Sequence, residues 1–384
     1  MMQVAVYNPG GISVEVIGNP APPTGNTSAD ADFAARVASP GVLRWFHFND
    51  PSQLGVMAGS GPPPNFGTVA GTATNPRIDN TVFASGTGSL LMELPRFSDQ
   101  SGAGAWFANF SPDLQTQFGA GGHFFIQFRL RWNKAICDTV VKQPSGVQTD
   151  TKYCIIGAGD QTPGLYPYSP QYPITRADSS GTQGKNTNDI KLVGVSRYAH
   201  KCPILYHYWP TGTGTGDQGL FIGLGGGDFN LENAMPNPPG CRYAVEKTVG
   251  PSDPIPGCFT YAPDEWMHCQ TEIKVGTKAW FTAPDNSQWE IWDGTEVRQW
   301  WGNQGKPAQL VYDWTPANAG MSYMAQLTGY KLNGPVPDRS LRFGKIWLLP
   351  HQTQRDPAQD TGAVMQAWYD ELIISTQRIP DPAA

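Results

Sequence analysis

The sequence predicts an all-β fold built as a two-sheet antiparallel sandwich with long loops and a short N-terminal arm, and three observations predict it. First, 44 glycines and 35 prolines are spread through 384 residues. Helix interiors lose about 1 kcal/mol at each Gly and about 3 at each Pro, so few segments can sustain a long helix. Second, short apolar-alternating or aromatic runs recur between turn residues without intervening helices, as in a sandwich. Third, 13 Trp, 14 Tyr and 17 Phe supply a sizeable core at only 39% hydrophobic content.

The main domain is expected over residues 41–384, opening at Gly41-Val-Leu-Arg-Trp-Phe-His-Phe48. Strands are expected at Ser89–Glu93, Phe124–Trp132, Tyr153–Ile156, Lys191–Val195, Ile204–Tyr208, Met267–Val275, Ser287–Trp292, Leu341–Leu348 and Trp368–Ser375. In the second of these, Phe128, Leu130 and Trp132 alternate with Gln127, Arg129 and Arg131, which sends the two sets to opposite faces. Ser287–Trp292 followed by Asp293-Gly294 reads as a strand entering a tight hairpin. Loops are expected at 157–190 and 209–265; loops of that length in a compact domain usually carry function or contacts.

Residues 1–40 read separately, as an N-terminal arm or docking segment. Val4–Tyr7 and Ile12–Ile17 alternate like short strands, and Asn19–Asn26 reads as an extended linker. An edge hairpin of the main domain is the alternative.

Composition excludes several classes. The net charge is −6 and no dense Lys/Arg run occurs, so nucleic acid is not an expected partner. No stretch approaches the roughly 18 apolar residues of a membrane span. The first ten residues lack the basic and apolar regions of a Sec-type signal peptide. Six cysteines occur without a C-x-x-C pair. Cys137/Cys154 and Cys241/Cys258 each flank a loop as a bridging disulfide would, with buried free thiols as the alternative. Disulfides without a signal peptide suit a protein made in a host cytoplasm and exposed on a released virion.

The chain closes with Arg342-Phe-Gly-Lys-Ile-Trp-Leu-Leu-Pro350, a polar loop His351–Asp356, then Trp368-Tyr-Asp-Glu-Leu-Ile-Ile-Ser375. This ending resembles the closing strands of the concanavalin A-like (laminin G-like) jelly rolls, a fold of lectins, glucanases and polysaccharide lyases. The resemblance implies a jelly-roll sandwich, a sugar-facing loop, and a structural Ca²⁺ where first and last strands meet. Asn49, Asp50 and Asp370 are the residues matching that site, with the hard oxygen ligands calcium takes.

Sugar binding needs flat aromatic faces and planar polar groups. Trp300 and Trp301 are candidates because strand neighbours point to opposite faces, leaving one for the core and one for the surface. His351 and Gln352 offer donors and acceptors, and Arg355 a fork for a uronate or sulfate. The catalytic motifs of this fold group are absent. Neither a Gln-Ile-His nor a Tyr-x-Lys-x-Gly strand occurs, and His123, His207 with Tyr206 and Tyr208, and His268 sit outside any such motif. No Glu-x-Asp-x-x-Glu spacing appears, and Asp370 and Glu371, being adjacent, are expected on opposite faces. The expected function is a non-enzymatic virion surface protein, capsid-decorating or tail-associated, with other virion proteins, a polysaccharide and further copies of itself as partners. A polysaccharide lyase or glycoside hydrolase is the alternative, and a lectin-like adhesin a third reading.

Overall fold

The structure is a computed structural model that describes residues 27–54, 56–57, 67–70, 76–94, 105–111, 116–119, 121–137, 150–159, 189–195, 203–210, 219–222, 262–282, 288–294, 296–315, 328–331, 342–352 and 363–383. Helix α1 spans Ser28–Val37 and a single turn, α2, spans Lys134–Cys137. The strands, in chain order, are β1 Val42–Phe46, β2 Val56–Met57, β3 Gly67–Ala70, β4 Arg77–Asp79, β5 Ser89–Leu94, β6 Ala105–Asn109, β7 His123–Trp132, β8 Asp150–Gly159, β9 Asp189–Val195 and β10 Pro203–Pro210. They continue as β11 Gly219–Ile222, β12 Trp266–Lys274, β13 Thr277–Thr282, β14 Gln288–Asp293, β15 Glu296–Asn303, β16 Gln309–Trp314, β17 Thr328–Lys331, β18 Arg342–Gln352 and β19 Met365–Ser375.

Two eight-stranded sheets form the all-β jelly-roll sandwich that the sequence predicts. The first runs β16-β15-β12-β7-β19-β5-β4, with β1 also on β19; the second runs β11-β10-β9-β8-β18-β6-β3-β2. Strands β13, β14 and β17 form a separate three-stranded sheet. The first and last strands do meet, Trp45 opposite Ile373 and Phe46 opposite Leu372. Each strand predicted within residues 41–384 coincides with an observed one.

The core lies between the sheets. The indole of Trp106 stands edge-on to Phe46 and Phe48, with centroids 4.8 and 5.0 Å away, and its Nε1 donates to the Gln53 carbonyl. Phe128, Leu130 and Trp132 are buried here, as the alternation of β7 requires. Cys154 from the second sheet and Cys269 from the first are buried free thiols. Burial pushes the Cys154 thiol well above its ordinary range, and the neighbouring Cys269 adds to this. Cys154 is therefore not bridged to Cys137: its place in β8 turns the sulfur into the inter-sheet layer. Cys241 and Cys258 lie outside the described residues, as do Val4–Tyr7, Ile12–Ile17 and most of the two long loops. Among the described residues, no helix is long and apolar enough to cross a membrane.

Two sequence expectations fail for identifiable reasons. Residues 28–37, inside the segment read as an arm, form a helix packed on the first sheet. Thr27 caps it: its hydroxyl accepts the Asp30 amide at 3.2 Å, and the Asp30 carboxylate accepts the Thr27 amide at 3.3 Å. This reciprocal box followed by an alanine-rich run is the helix signal in the sequence. Phe33 and Val37 then bury against Trp45, Phe125, Ile373 and Ile379. Second, Asp293-Gly294 turns the chain with Gly294 at φ 81° but makes no hairpin. β14 pairs with β13 and β17, whereas β15 joins β12 and β16.

Candidate functional site

The outer face of the first sheet, away from the core, carries a row of polar side chains that α1 and the C-terminal strap 376–383 cover. On β7, Arg129 and Gln127 alternate with the core residues; on β12, His268 and Gln270 are their register partners. The Gln270 amide binds the strap backbone twice, donating to the Ile379 carbonyl at 3.0 Å and accepting the Ile379 amide at 2.8 Å. Gln127 Nε2 donates to the Pro380 carbonyl at 3.0 Å. Arg36 of α1 donates to Asp32 Oδ2, Gln127 Oε1 and Glu371 Oε2, and Arg129 Nε donates to the same Glu371 oxygen.

Glu371 reaches this layer through a β-bulge. The register between β19 and β7 jumps from Asp370↔Arg129 to Ile373↔Gln127, and Glu371 sits at φ 51°. One extra residue breaks the two-residue alternation. Both side chains therefore engage groups around the same outer layer, which corrects the expectation of opposite faces. They are no glycosidase pair: both are fully buried. Asp370 Oδ2 accepts the amides of Ala84 and Ser85, and Oδ1 that of Glu371. Burial, followed by the adjacent Glu371 charge, still pushes the Asp370 carboxyl well above its ordinary range.

His268 is 3% exposed and its Nε2 has no partner. Burial brings its pKa down to about 4; Arg129 and Arg36 also oppose a charged ring, while Asp381 and Glu371 favour one. A neutral, enclosed imidazole with no route to solvent reads as part of the strap's seat.

The calcium residues do not fit that ion. Asp370 faces amide hydrogens, which repel a cation. Asn49 Oδ1 accepts the Thr87 and Gly88 amides, and Asp50 Oδ1 accepts the Ser52 amide. Among the described residues, no three His, Cys, Asp or Glu side chains gather as a metal set. Instead Asp370, Asp30 and Asn49 together hold the successive amides of loop 84–88, Asp30 taking that of Gly86 at 2.6 Å.

The sugar-binding candidates separate. Trp301 is wholly buried and has no face to offer a ligand. Trp300 is half-buried on the first sheet, with the Arg378 guanidinium 4.7 Å from its ring centroid. His351 and Gln352 end β18 on the second sheet, opposite Lys152 and Thr151. Arg355 lies outside the described residues. Trp300 and the His351–Gln352 pair thus belong to different sheets.

Register reveals an alignment that linear reading missed. Phe107 of β6, Trp347 of β18, Ile155 of β8, Lys191 of β9 and Tyr206 of β10 are successive cross-strand partners. The neighbouring row, Trp106, Leu348 and Cys154, is buried in the core. The first row alternates in register with that buried row and spans about 19 Å at the usual strand spacing. Only pairing across five strands brings these residues into line.

No family model and no curated protein sequence matches the chain. Among solved structures, it is similar to the alginate lyase Aly36B (12% identity, 77% of this chain and 84% of that one, TM-score 0.32). It is also similar to the PL-14 alginate lyase from Aplysia kurodai (10% identity, 79% and 87%, TM-score 0.41). A third similar structure is the binding domain of botulinum neurotoxin serotype D/C (10% identity, 82% and 44%, TM-score 0.31).

Proposed function

We propose that this chain is a non-enzymatic surface protein of a virion, capsid-decorating or tail-associated, whose second sheet contacts a polysaccharide. The observation that supports the glycan reading is the row Phe107, Trp347, Ile155, Lys191 and Tyr206. Aromatic and aliphatic groups suit the C–H faces of sugar rings, and a few convergent polar groups fix orientation. Lys191 gives such a row a preference for acidic sugars. His351 and Gln352 close the same strand as Trp347, and Arg355 follows them in sequence. The virion role and assembly from several copies rest on the sequence: contact-length loops and the strand-like, linker-bearing residues 1–26.

The deciding experiment is a glycan array read with the parent, Trp347→Ala and Tyr206→Ala proteins, with circular dichroism as the folding control. Binding to acidic glycans that both variants lose supports the reading; binding that neither variant changes refutes it. Light scattering tests assembly, with a homo-oligomer expected.

A polysaccharide lyase is the second reading, favoured by Lys191 standing opposite Tyr206 in the ladder. Proton abstraction beside a uronate carboxylate uses a phenol as acid or base and a cation to neutralise the carboxylate. Elimination leaves an unsaturated end that absorbs in the ultraviolet. A rise in absorbance on a polyuronate panel, lost in Tyr206→Phe, would establish it; flat traces across the panel eliminate it.

A further inference from the structure

At the end of the first sheet's outer face beyond the strap, Arg131 stands between two tryptophans. Its cross-strand partners are Trp368 on β19 and Trp266 on β12. The guanidinium carbon is 5.7 Å from the Trp368 ring centroid. Both indoles are 5% exposed and share a cluster with Leu91, flanked by Val82 and Ala84. Trp368 is further fixed by its Nε1, which donates to Asp79 Oδ2 at 2.8 Å. Between Val82 and Ala84, Phe83 is 39% exposed, the one large apolar side chain exposed among the described residues. Its loop is rigid, since the next five amides are held by Asp370, Asp30 and Asn49.

The other strand arginines on this face have acids: Arg129 pairs with Glu371, Arg77 with Glu93, and Arg298 with Glu272 and Glu296. Arg131 pairs with none among the described residues, and its Nε is buried without an acceptor. The nearby Asp79 is taken up by Trp368 and by the Thr81 amide and hydroxyl. A buried N–H of a cation without an acceptor is costly to leave unmade, and such groups commonly mark an absent ion or ligand. The side chain is partly exposed, so it is reachable from solvent. Its two terminal nitrogens, engaged by no hydrogen bond among the described residues, present the planar N–H fork that a carboxylate fits with two parallel hydrogen bonds.

We infer that Arg131, braced by Trp368 and Trp266 and rimmed by Phe83, is a binding site for the carboxylate group of a ligand, either a uronic sugar or a small free acid. The site lies on the opposite sheet from the glycan row, so either can fail without the other.

Calorimetric titration of the full chain with sodium glucuronate, sodium acetate and neutral methyl glucoside, at constant ionic strength, tests it. Glucuronate is expected to bind saturably and methyl glucoside not at Arg131. Arg131→Met should weaken glucuronate at least tenfold, and Arg131→Lys, which keeps the charge but not the fork, severalfold. Acetate binding as tightly as glucuronate identifies a free small acid as the ligand; tighter glucuronate identifies a uronic sugar. No saturable binding of either acid, or unchanged affinity in both variants, overturns the proposal. If Arg131→Met fails to fold, Arg131→Lys alone decides it.

Discussion

Arg36 and Glu371, 335 residues apart in sequence, form a buried ion pair that ties the N-terminal helix to the last strand. Arg129 donates to the same Glu371 oxygen at 2.6 Å, so one carboxylate is shared between two guanidinium groups. Arg36 is 2% exposed and Glu371 not at all. Each charge depends on the others to offset its loss of water.

Breaking one member of such a group leaves an uncompensated buried charge, which typically costs about 3–5 kcal/mol. Arg36→Met is expected to destabilise the protein by about that much in urea denaturation, and Glu371→Gln similarly. The double variant should cost clearly less than the two singles added, because the same interaction is lost in each. Strict additivity in the cycle would mean that the pair contributes nothing to stability.

Gly86 should be intolerant of any side chain. It sits at φ 70°, and an added Cβ would come within 2.3 Å of the Asn49 carboxamide oxygen. That oxygen accepts the amides of Thr87 and Gly88. Left-handed backbone alone costs a non-glycine residue about 1–2 kcal/mol, and displacing Asn49 adds to it. Gly86→Ala is expected to lower the thermal midpoint, whereas Gly121→Ala, with open space around its Cβ, should show the backbone cost alone.

The tryptophan pair separates packing from surface chemistry. Trp301 is fully enclosed, so Trp301→Ala should cost about 3–5 kcal/mol in denaturant. Trp300 is half-buried beneath Arg378, and Trp300→Ala should cost markedly less. Equal losses would contradict the assignment of Trp301 to the core.

His268 predicts a pH dependence. Its folded pKa, about 4, lies below the ordinary 6.5. The unfolded chain therefore binds the proton more readily, so stability rises with pH between those values and is lost as pH falls through them. The full window corresponds to ~3 kcal/mol. Asp370, whose folded carboxyl is raised, titrates with the opposite sign, so the informative quantity is the difference between parent and His268→Gln profiles. That difference should change across the window and be flat above it; parallel profiles would contradict a neutral, enclosed ring.

Local pattern carried much of the fold. The alternation of Phe128, Leu130 and Trp132 against Gln127, Arg129 and Arg131 placed the core side of β7, and the opposite faces of Trp300 and Trp301 followed from the same period. The helix Ser28–Val37 was also legible, through its Thr27–Asp30 box, although glycine and proline around it favoured reading an arm. The site was far less legible. Arg131 looks like any outward strand arginine until the register sets a tryptophan on each side of it. Phe107, Lys191, Tyr206 and Trp347 are scattered over about 240 residues of sequence.

By itself the sequence determined strand content, the side of each regular strand that turns inward, and the aromatic supply for a sandwich core, because these depend on composition and a two-residue period. Tertiary structure alone decided that the bulge at Glu371 delivers two neighbouring carboxylates to one layer, that Cys154 faces the inter-sheet core, and that a strap and a helix seal the first sheet. Such outcomes depend on pairing register and on partners hundreds of residues away, where a single inserted residue reverses the face of everything beyond it.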